Sequence, residues 1–423
     1  MGNFKIKSVL ISGFWGEYEC DSTFNNDINI IIGQNGSGKT TFMNILHGVL
    51  SIDIDELSNN DFDFVKIILE NNKKKVEINI KREDDLKNIP VISYSVEGKT
   101  YRVSLPNGEL GFINRRRILD DYEVLRNKLN EYISLYSLSV YRNKYNYDYE
   151  RERDRGRLLK LGIMSSVDFY LNELLIELGR HQLELAQKSR EISENLQREV
   201  LLSLLYTKDS KDKSIKPNIS LNKELENLKK AYQRFGFYDE GVNRRIDEHV
   251  KIVSDELKRI NDIKKEFKLT NDIIFPSPII EAKKVTDKII DLSSKAEKEN
   301  DQIFSNNLLF LNIIKEFTDK VFEFRRGELK FIQNEKEISL FKLSSGEKQL
   351  LILLIETLLQ RESECIFLAD EPEISLHIKW QRNIIKSIIS LNPKAQIIVA
   401  THSPEIAGMH KDKIKRMSEI KRN

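Results

Sequence analysis

The stretch that most constrains this chain is Gly33-Gln34-Asn35-Gly36-Ser37-Gly38-Lys39-Thr40, which follows directly on the apolar run Ile28-Asn29-Ile30-Ile31-Ile32. Its spacing, G-x-x-x-x-G-K-[ST], asks for a strand, a tight glycine turn and a helix in that order. The glycines let successive backbone N–H groups turn inward on an anion, and the helix that begins near Thr40 aims its positive end at the same point. Phe42, Ile45, Leu46 and Val49 recur at helical spacing immediately afterwards, so the required context is present. Gly33, Asn35, Gly36, Ser37, Gly38, Lys39, Thr40 and Thr41 are therefore expected to hold phosphates, with Lys39 on the β- and γ-phosphates of a nucleotide and the Thr40 hydroxyl on Mg²⁺. A strand feeding such a loop puts the chain in the α/β class.

Composition bounds the rest. At 423 residues the chain is long enough for two or three domains. With 68 Lys and Arg against 66 Asp and Glu it carries no whole-protein electrostatic footprint for nucleic acid or an anionic membrane. Two cysteines, Cys20 and Cys365, exclude a disulfide framework, and with six scattered histidines they are too few for a cysteine-rich zinc site. No run approaches ~18 uncharged apolar residues, and Leu350–Ile355 is followed by Glu356, so that segment is expected to be a buried helix. A soluble cytoplasmic protein is the expectation.

Along the chain, Phe4 to Ile11 alternates, and Gly13-Phe14-Trp15-Gly16 turns it into a second strand around Tyr18. An acidic loop is expected from Asp53 to Asp63, solvated rather than metal-binding at Asp53, Asp55 and Glu56, because no glycine-turned calcium-loop spacing follows. Period-two segments at Phe64–Leu69, Val76–Ile80, Ile92–Val96 and Tyr101–Leu105 predict an antiparallel β subdomain beside the nucleotide-binding sheet. A further strand is expected at Leu138–Tyr141. Tyrosines and arginines interleave over Arg142–Arg157, a pattern that can stack on bases and pair with phosphates, but Asp148, Glu150, Glu152 and Asp154 nearly cancel its charge and suit a solvated linker equally. From about residue 162 to 307 the signal is wholly helical. Val167, Leu171, Leu174, Leu178, Leu185 and Ile192 give one stripe, and Ile246, Val250, Val253, Leu257, Ile260 and Phe267 another. A helix of ~40 residues is only ~60 Å long, so this region is expected to be a short arm or lid. The domains expected are residues 1–161, a helical insertion 162–307, and 308–423.

Three more elements follow the insertion. Leu343-Ser344-Ser345-Gly346-Glu347 opens an apolar helix and is another candidate anion-binding N-terminus. Cys365–Ala369 is an apolar strand ending in Asp370 and Glu371; Asp370 would hold Mg²⁺, and Glu371 would polarise the attacking water. Ile397–Ala400 is a third buried strand, ending at Thr401-His402-Ser403 and bringing an imidazole to the same edge.

A phosphate loop, an LSSGE turn, a strand ending in Asp-Glu and a following histidine, in this order, resemble the ABC-type ATPase heads, within them the branch of the SMC, RecF and OLD proteins. The run Asp370-Glu371-Pro372-Glu373-Ile374-Ser375-Leu376-His377 with Thr401-His402-Ser403-Pro404 is most similar to OLD-like ATPases, including those of the PARIS and Septu anti-phage systems. The resemblance implies an ABC-type P-loop head, a mixed or parallel nucleotide-binding sheet plus an antiparallel β subdomain, interrupted by an all-helical insertion. It implies ATP and Mg²⁺ as cofactors, hydrolysis by Lys39, Glu371 and His402 (the last as γ-phosphate sensor), and head-to-tail pairing in which Ser344, Ser345, Gly346 and Glu347 of one chain cover the nucleotide of the other. A homodimer or higher homo-oligomer follows. The family's Asn-Phe-Arg turn is Gly13-Phe14-Trp15 here, and Arg142 is the candidate for a coupling residue where a transporter-type glutamine is missing.

OLD-type nucleases continue beyond the histidine into a metal-dependent nuclease domain, whereas 21 residues follow His402. A separate effector protein, a nuclease being the expected kind, is therefore implied, with the helical insertion and the basic stretch Lys411–Arg422 as docking surfaces. The competing classes are a RecF/SMC-like DNA-repair ATPase, which would bind nucleic acid through a basic groove, and a transporter subunit, which would lack the insertion. A GTPase is disfavoured because Asn143-Lys144-Tyr145-Asn146 lacks the guanine-reading aspartate. If the loop holds a nucleotide, Lys39→Ala should abolish ATP binding, since the phosphate charge loses its main side-chain partner; unchanged ATP affinity in calorimetry would remove the assignment.

Overall fold

The computed structural model describes residues 4–84, 90–104, 112–138, 165–203, 221–234, 240–266 and 278–422. The N-terminal alternation forms β1 (Lys5–Phe14) and β2 (Tyr18–Thr23), and the apolar run forms β3 (Ile28–Ile32). α1 (Lys39–Ser51) starts directly after Gly38 and buries Phe42, Ile45, Leu46 and Val49. A short helix α2 (Ile54–Asn59) follows, then β4 (Phe64–Glu70), β5 (Lys75–Asp84), β6 (Pro90–Val96) and β7 (Lys99–Ser104). α3 (Phe112–Tyr132) leads to β8 (Leu135–Ser137).

Four long or mid-length helices come next: α4 (Ser166–Ser203), α5 (Leu221–Arg234), α6 (Glu240–Glu266) and α7 (Pro278–Phe317). After β9 (Val321–Arg325), β10 (Glu328–Gln333) and β11 (Lys336–Ile338), α8 (Ser345–Leu359) precedes β12 (Ile366–Asp370). The remainder is α9 (Ile378–Gln381), α10 (Ile384–Leu391), β13 (Gln396–Thr401), α11 (Pro404–Gly408), β14 (Ile414–Arg416), α12 (Met417–Ile420) and β15 (Lys421–Arg422).

Two sheets carry the first compact unit, Met1–Arg180 with Leu309–Asn423. One has the order β14-β3-β13-β12-β8 and is parallel at every described pairing. The other, β15-β2-β1-β4-β5-β6-β7, is antiparallel throughout and contains the expected β subdomain. A third, small sheet has the order β11-β10-β9 and is antiparallel. Side chains alternate along β12, so Ile366 and Leu368 join α1 and the antiparallel sheet in one cluster, while Phe367 and Ala369 join α8 and the first turns of α4 in another. A strand buried on both faces must read as a continuous apolar run, which is why Ile366–Ala369 contains no polar residue. Full burial of each Ile, Phe or Leu side chain in this run contributes about 1.5–3 kcal/mol of transfer free energy. The first unit is thus mixed α/β, a parallel sheet beside an antiparallel one, and the chain between its two parts is helical among the described residues.

The second unit, His181–Leu308, is helical among its described residues. α4 and α7, of 38 and 40 residues, are held together there by the reciprocal amides of Gln182 and Asn307 (3.2 and 2.7 Å) and by Ser189 donating to Asn300 at 2.5 Å. Leu228, Ile246 and Val250 pack α5 on α6. Val253, Leu257, Ile260 and Phe267 of the expected second stripe lie outside the residues whose side chains are described, as does the whole of Arg142–Arg157. Among the described residues no helix is long and apolar enough to cross a membrane.

Local expectations fare differently. Of the strand expected at Leu138–Tyr141, residues 139–141 lie outside the described residues; just before it, Leu135–Ser137 form a strand that pairs with Ile366–Leu368 of β12, a tertiary contact that sets its register. The acidic loop is partly helical: Asp53 caps α2 by accepting from the N–H of Asp55 and Glu56, and Glu56 is buried with its carboxylate 2.6 Å from His47 Nδ1. The basic stretch near the C-terminus, expected as a docking surface, is ordered into the fold while Lys411, Arg416 and Arg422 stay exposed. Its β14 pairs with β3 and its β15 with β2, with Met417 and Ile420 buried between, so it stitches the two large sheets together.

Glu356 is the charge that interrupts the apolar face of α8. Tyr170 donates to its Oε1 at 2.5 Å, and its Oε2 is buried with no partner among the described residues. A cavity of about 200 Å³ beside it is also lined by His47, Arg126, Asn130, Tyr136 and Ser137. Burial pushes the Glu356 carboxyl up to about 8, against the pull of the Tyr170 hydrogen bond. A folded-state value raised above the unfolded one means that the stabilising contribution is complete below about pH 4.3 and lost as pH climbs through 8. Glu356→Gln should therefore match the wild type in unfolding free energy near pH 4.5 and exceed it at pH 8 by roughly 1–3 kcal/mol, read from denaturant unfolding at the two pH values. A pH-independent difference would show that the carboxyl is ionised throughout.

Candidate active site

The geometry of the site follows from strand register. In the parallel sheet β13 lies between β3 and β12, with Thr401 opposite Ile32 and Ala400 opposite both Ile31 and Asp370. Three strands thus end at one level. The glycine loop leaves β3, Thr401-His402-Ser403 leaves β13, and Asp370-Glu371 leaves β12. The C-terminal edge of an open parallel sheet is where such folds place ligands, because loops diverge there and leave a crevice.

Within the loop, Gly36 and Gly38 have φ of +75° and +102°, a region that L side chains rarely adopt. Gly38 has a second reason to be glycine, since a Cβ there would sit 3.0 Å from the Phe14 ring and 3.1 Å from that of Trp15. Asn35 and Gly36 are exposed, while the Ser37 hydroxyl is buried without a partner among the described residues. Lys39 is 3% exposed and curls back over the loop, its Nζ donating to the carbonyls of Gly33 (3.0 Å) and Gln34 (3.3 Å). The same ammonium is 2.6 Å from His402 Nε2, and since an ammonium can only donate, that nitrogen faces it as acceptor. Burial lowers the Lys39 pKa, with the carboxylates of Glu371, Asp370 and Glu373 acting in opposition.

Glu371 Oε1 stands 3.3 Å from His402 Nε2 on the other side. The middle position of β13 explains this: a histidine leaving the central strand falls between the lysine of one neighbour and the carboxylate of the other. Glu371 itself has φ of +48°, backbone strain held in place by its N–H bonding to the Ala400 carbonyl at 2.8 Å. Asp370, at the end of β12, has an Oδ1 that is buried without a partner among the described residues. Burial raises its pKa, the Thr40 hydroxyl hydrogen-bonding to it works the other way, and the neighbouring Glu371 adds to the rise.

An orphaned carboxylate oxygen beside a hydroxyl, both oxygen donors, suits a small hard cation such as Mg²⁺. Thr40 and Asp370 are the residues that would hold it. Thr41 receives a hydrogen bond from Trp15 Nε1 at 3.3 Å, so the Gly13-Phe14-Trp15 turn reaches the phosphate loop although it departs from the familiar sequence.

The LSSGE turn is built as a capping box at the start of α8. The Glu347 carboxylate accepts from Ser344 N (2.9 Å) and Ser344 Oγ (2.8 Å), and the Ser344 hydroxyl accepts from Glu347 N. Lys320 also pairs with Glu347, at 2.8 Å. These bonds close the turn on itself and leave Ser344 and Ser345 exposed. Gly346 is buried, and a Cβ on it would lie 2.4 Å from the Ser375 carbonyl, so the turn packs on the segment that follows the two carboxylates. The structure brings Lys39, Thr40, Asp370, Glu371 and His402 together and presents Ser344 and Ser345 outward.

Sequence reading overlooked Glu373. It is buried, and its Oε1 accepts from Thr401 Oγ1, from His402 N at 3.0 Å and from Ser403 N at 3.1 Å. An acidic residue two positions past Glu371 in an otherwise apolar segment was the available signal.

The family model for an AAA ATPase domain, AAA_15, matches residues 4–407. The chain belongs to this ATPase family. A probable ATPase of retron Vc95 from Vibrio cholerae serotype O1 biovar El Tor is 31% identical over 192 residues, 38% of this chain and 37% of that protein. A probable ATPase of retron Ec83 from Escherichia coli is 36% identical over 85 residues, 18% of this chain and 16% of that protein. The matched stretches thus span well under half of these relatives. Among solved structures, the Smc head domain of Pyrococcus furiosus bound to the C-terminal domain of ScpA aligns over 96% of this chain and 91% of that one, with 15% identity and a TM-score of 0.41. The SMC head domain of Thermotoga maritima aligns over 96% and 91%, with 12% identity and a TM-score of 0.37.

Membership of an ATPase family implies a nucleotide site, and the oxygen donors of Thr40 and Asp370 fit the Mg²⁺ that would accompany it. Asp370 gives a direct check. Its ionised form is disfavoured by burial in the free protein, so Asp370→Asn should leave the nucleotide-free melting temperature at pH 7 equal to the wild type or a few degrees higher, while most of the stabilisation by ATP with Mg²⁺ disappears. Lower stability without nucleotide together with intact stabilisation by Mg²⁺ and ATP would be the contrary result.

Proposed function

We propose that this chain is an ATP-binding and ATP-hydrolysing switch that pairs head to tail with a second copy. The observation that carries the reading is the convergence of Lys39, His402, Glu371, Asp370 and Thr40 at the ends of three adjacent parallel strands. In the free protein Lys39 is occupied by two loop carbonyls and His402. An incoming triphosphate offers it a better partner, so the lysine moves to the β- and γ-phosphates and the imidazole is released toward the γ-phosphate. Thr40 and Asp370 would hold Mg²⁺, which when bound would neutralise charge on the phosphate oxygens. Glu371 accepts a proton from water as the water oxygen bonds to the γ-phosphorus and the bond to the bridging oxygen of ADP breaks.

Exposure of Ser344 and Ser345 supports the pairing. Their turn is internally satisfied and rigid, and it offers the free hydroxyl of Ser345 and the start of a helix to a second molecule. On this reading Ser345 and the Gly346 N–H of one copy cap the γ-phosphate held by Lys39 of the other. The motif resemblance to OLD-like ATPases, with relatives named as retron ATPases, supports a role in an anti-phage defence system in which ATP-driven closure controls a separate toxic effector, a nuclease being the kind we favour. The helical unit and the exposed basic side chains of Lys411, Arg416 and Arg422 are the surfaces we assign to that partner.

Complementation tests the pairing. Lys39→Ala and Ser345→Arg should each be inactive alone. Mixed in equal amounts they form heterodimers in which one composite site carries both defects and the other neither, so about a quarter of wild-type turnover should return under random pairing. Full activity of purified Ser345→Arg, or of Lys39→Ala, would refute the shared site.

A further inference from the structure

Glu373 is not a ligand in any step just described, yet its contacts are unusually concentrated. One carboxylate oxygen, Oε1, takes hydrogen bonds from three consecutive residues: the Thr401 hydroxyl, His402 N at 3.0 Å and Ser403 N at 3.1 Å. The side chain is 8% exposed, so each bond is made where water competes little. Bonds to an ionised acceptor are roughly twice as strong as neutral ones. The turn after β13 is therefore wrapped around a single carboxylate oxygen.

A second tie runs in parallel. Ser403 Oγ donates to Gln381 Oε1 at 2.7 Å, and Gln381 Nε2 donates to the Leu376 carbonyl at 3.0 Å. Both ties join the turn bearing His402 to the segment that follows Asp370 and Glu371. That segment is itself stiff: Glu371 and Ser375 have φ of +48° and +69°, and the N–H groups of Ile374 and Leu376 close on the carbonyls of Glu371 and Glu373 at 3.1 and 2.9 Å. The His402 ring, by contrast, is exposed and has only Lys39 and Glu371 beside it among the contacts described. A lysine that leaves for a phosphate would take away one of those two. What then keeps the imidazole aimed is its backbone, and the backbone is held by Glu373.

We infer that Glu373 is the positioning residue of the histidine turn, fixing the His402 backbone to the strand that carries Asp370 and Glu371 so that imidazole and carboxylate keep one geometry when Lys39 moves. The inference rests on the hydrolytic reading of the site for its kinetic consequence, while the structural consequence stands without it. Glu373 touches no reacting atom and acts through His402. Its effect on catalysis must therefore vanish when His402 is absent, which a general loss of packing would not reproduce.

The test is a double-mutant cycle with a spectroscopic arm. Glu373→Ala should lower kcat by about 100-fold, the scale of a small misplacement at a reacting centre, with ATP affinity in calorimetry little changed. Glu373→Gln should recover most of the rate, because its amide oxygen can accept from the same three donors. In a His402→Ala background Glu373→Ala should cost nothing further. An equal cost in both backgrounds, or unchanged kcat in Glu373→Ala, overturns the inference. If Glu373→Ala does not fold, Thr401→Val, which deletes one donor and keeps the carboxylate, takes its place in the cycle with the same two outcomes.

With histidine-selective ¹⁵N labelling, the His402 ring signals should be those of an ordered imidazole in the wild type and move to averaged, free-histidine values in Glu373→Ala or Thr401→Val. Unchanged signals overturn the inference whether or not the protein hydrolyses ATP. Absence of hydrolysis in the wild type, with the signals moving as expected, would instead count against the hydrolytic reading alone.

Discussion

The register of three parallel strands is the constraint on which the rest of this structure depends. β3, β13 and β12 pair so that Ile32, Thr401 and Asp370 finish at one edge, and each continues into a segment carrying chemistry. A shift of a single residue in β13 would reverse the facing of Ile397–Ala400 and move His402 away from both Lys39 and Glu371. That register is enforced by burial on both sides. Ile397 and Val399 pack toward α8, Ile398 and Ala400 toward α1 and the antiparallel sheet, and all four are fully buried. The strand core thus does the alignment, and the loops need only supply the functional groups.

Alignment has an electrostatic cost. It gathers an ammonium and three carboxylates in a place where burial already pushes Lys39 down and Asp370 up, each toward its neutral form. Attraction between unit charges about 4 Å apart rises from about 1 kcal/mol in water to about 4 near a protein surface, so the groups partly compensate one another. What they leave over is specific: the Asp370 Oδ1 has no partner among the described residues, and Lys39 settles for carbonyls and an imidazole. The proposed nucleotide and its metal ion would complete both. The strained backbone at Glu371 and the ties through Glu373 belong to the same design, since a preorganised site stores its cost in the fold and not in the reaction.

Sheet edges are handled with equal economy. Strands β2 and β3 would each present an open edge, and the stretch from Ile414 to Arg422 closes both, running parallel beside β3 and antiparallel beside β2. Lys421, in the last of these strands, lies 4.7 Å from the ring centre of Trp15 and 4.3 Å from that of Tyr18. Trp15 in turn leans on Gly38 and donates to Thr41, so the segment that seals the sheet also supports the phosphate loop from outside.

The elements of the candidate site were legible in the sequence because each is local. A glycine loop after an apolar strand, a serine–glycine turn before an apolar helix, and carboxylates ending a four-residue apolar run all state their chemistry within about ten residues, and the four antiparallel strands announced themselves by alternation. Contacts between distant segments were not legible. The strand at Leu135–Ser137 takes its place from β12, and neither its own pattern nor its neighbours could set that register. Glu56 looked solvated until His47, on another helix, came within 2.6 Å of it. The basic stretch looked like an open tail because its charges were visible and its backbone pairing was not. Glu373 shows the same division most clearly. The sequence by itself determined that a carboxylate stands two residues beyond Glu371, and only the tertiary structure decided that it grips the His402 turn, because hydrogen bonds between separate strands are selected by packing and register, which no local pattern encodes.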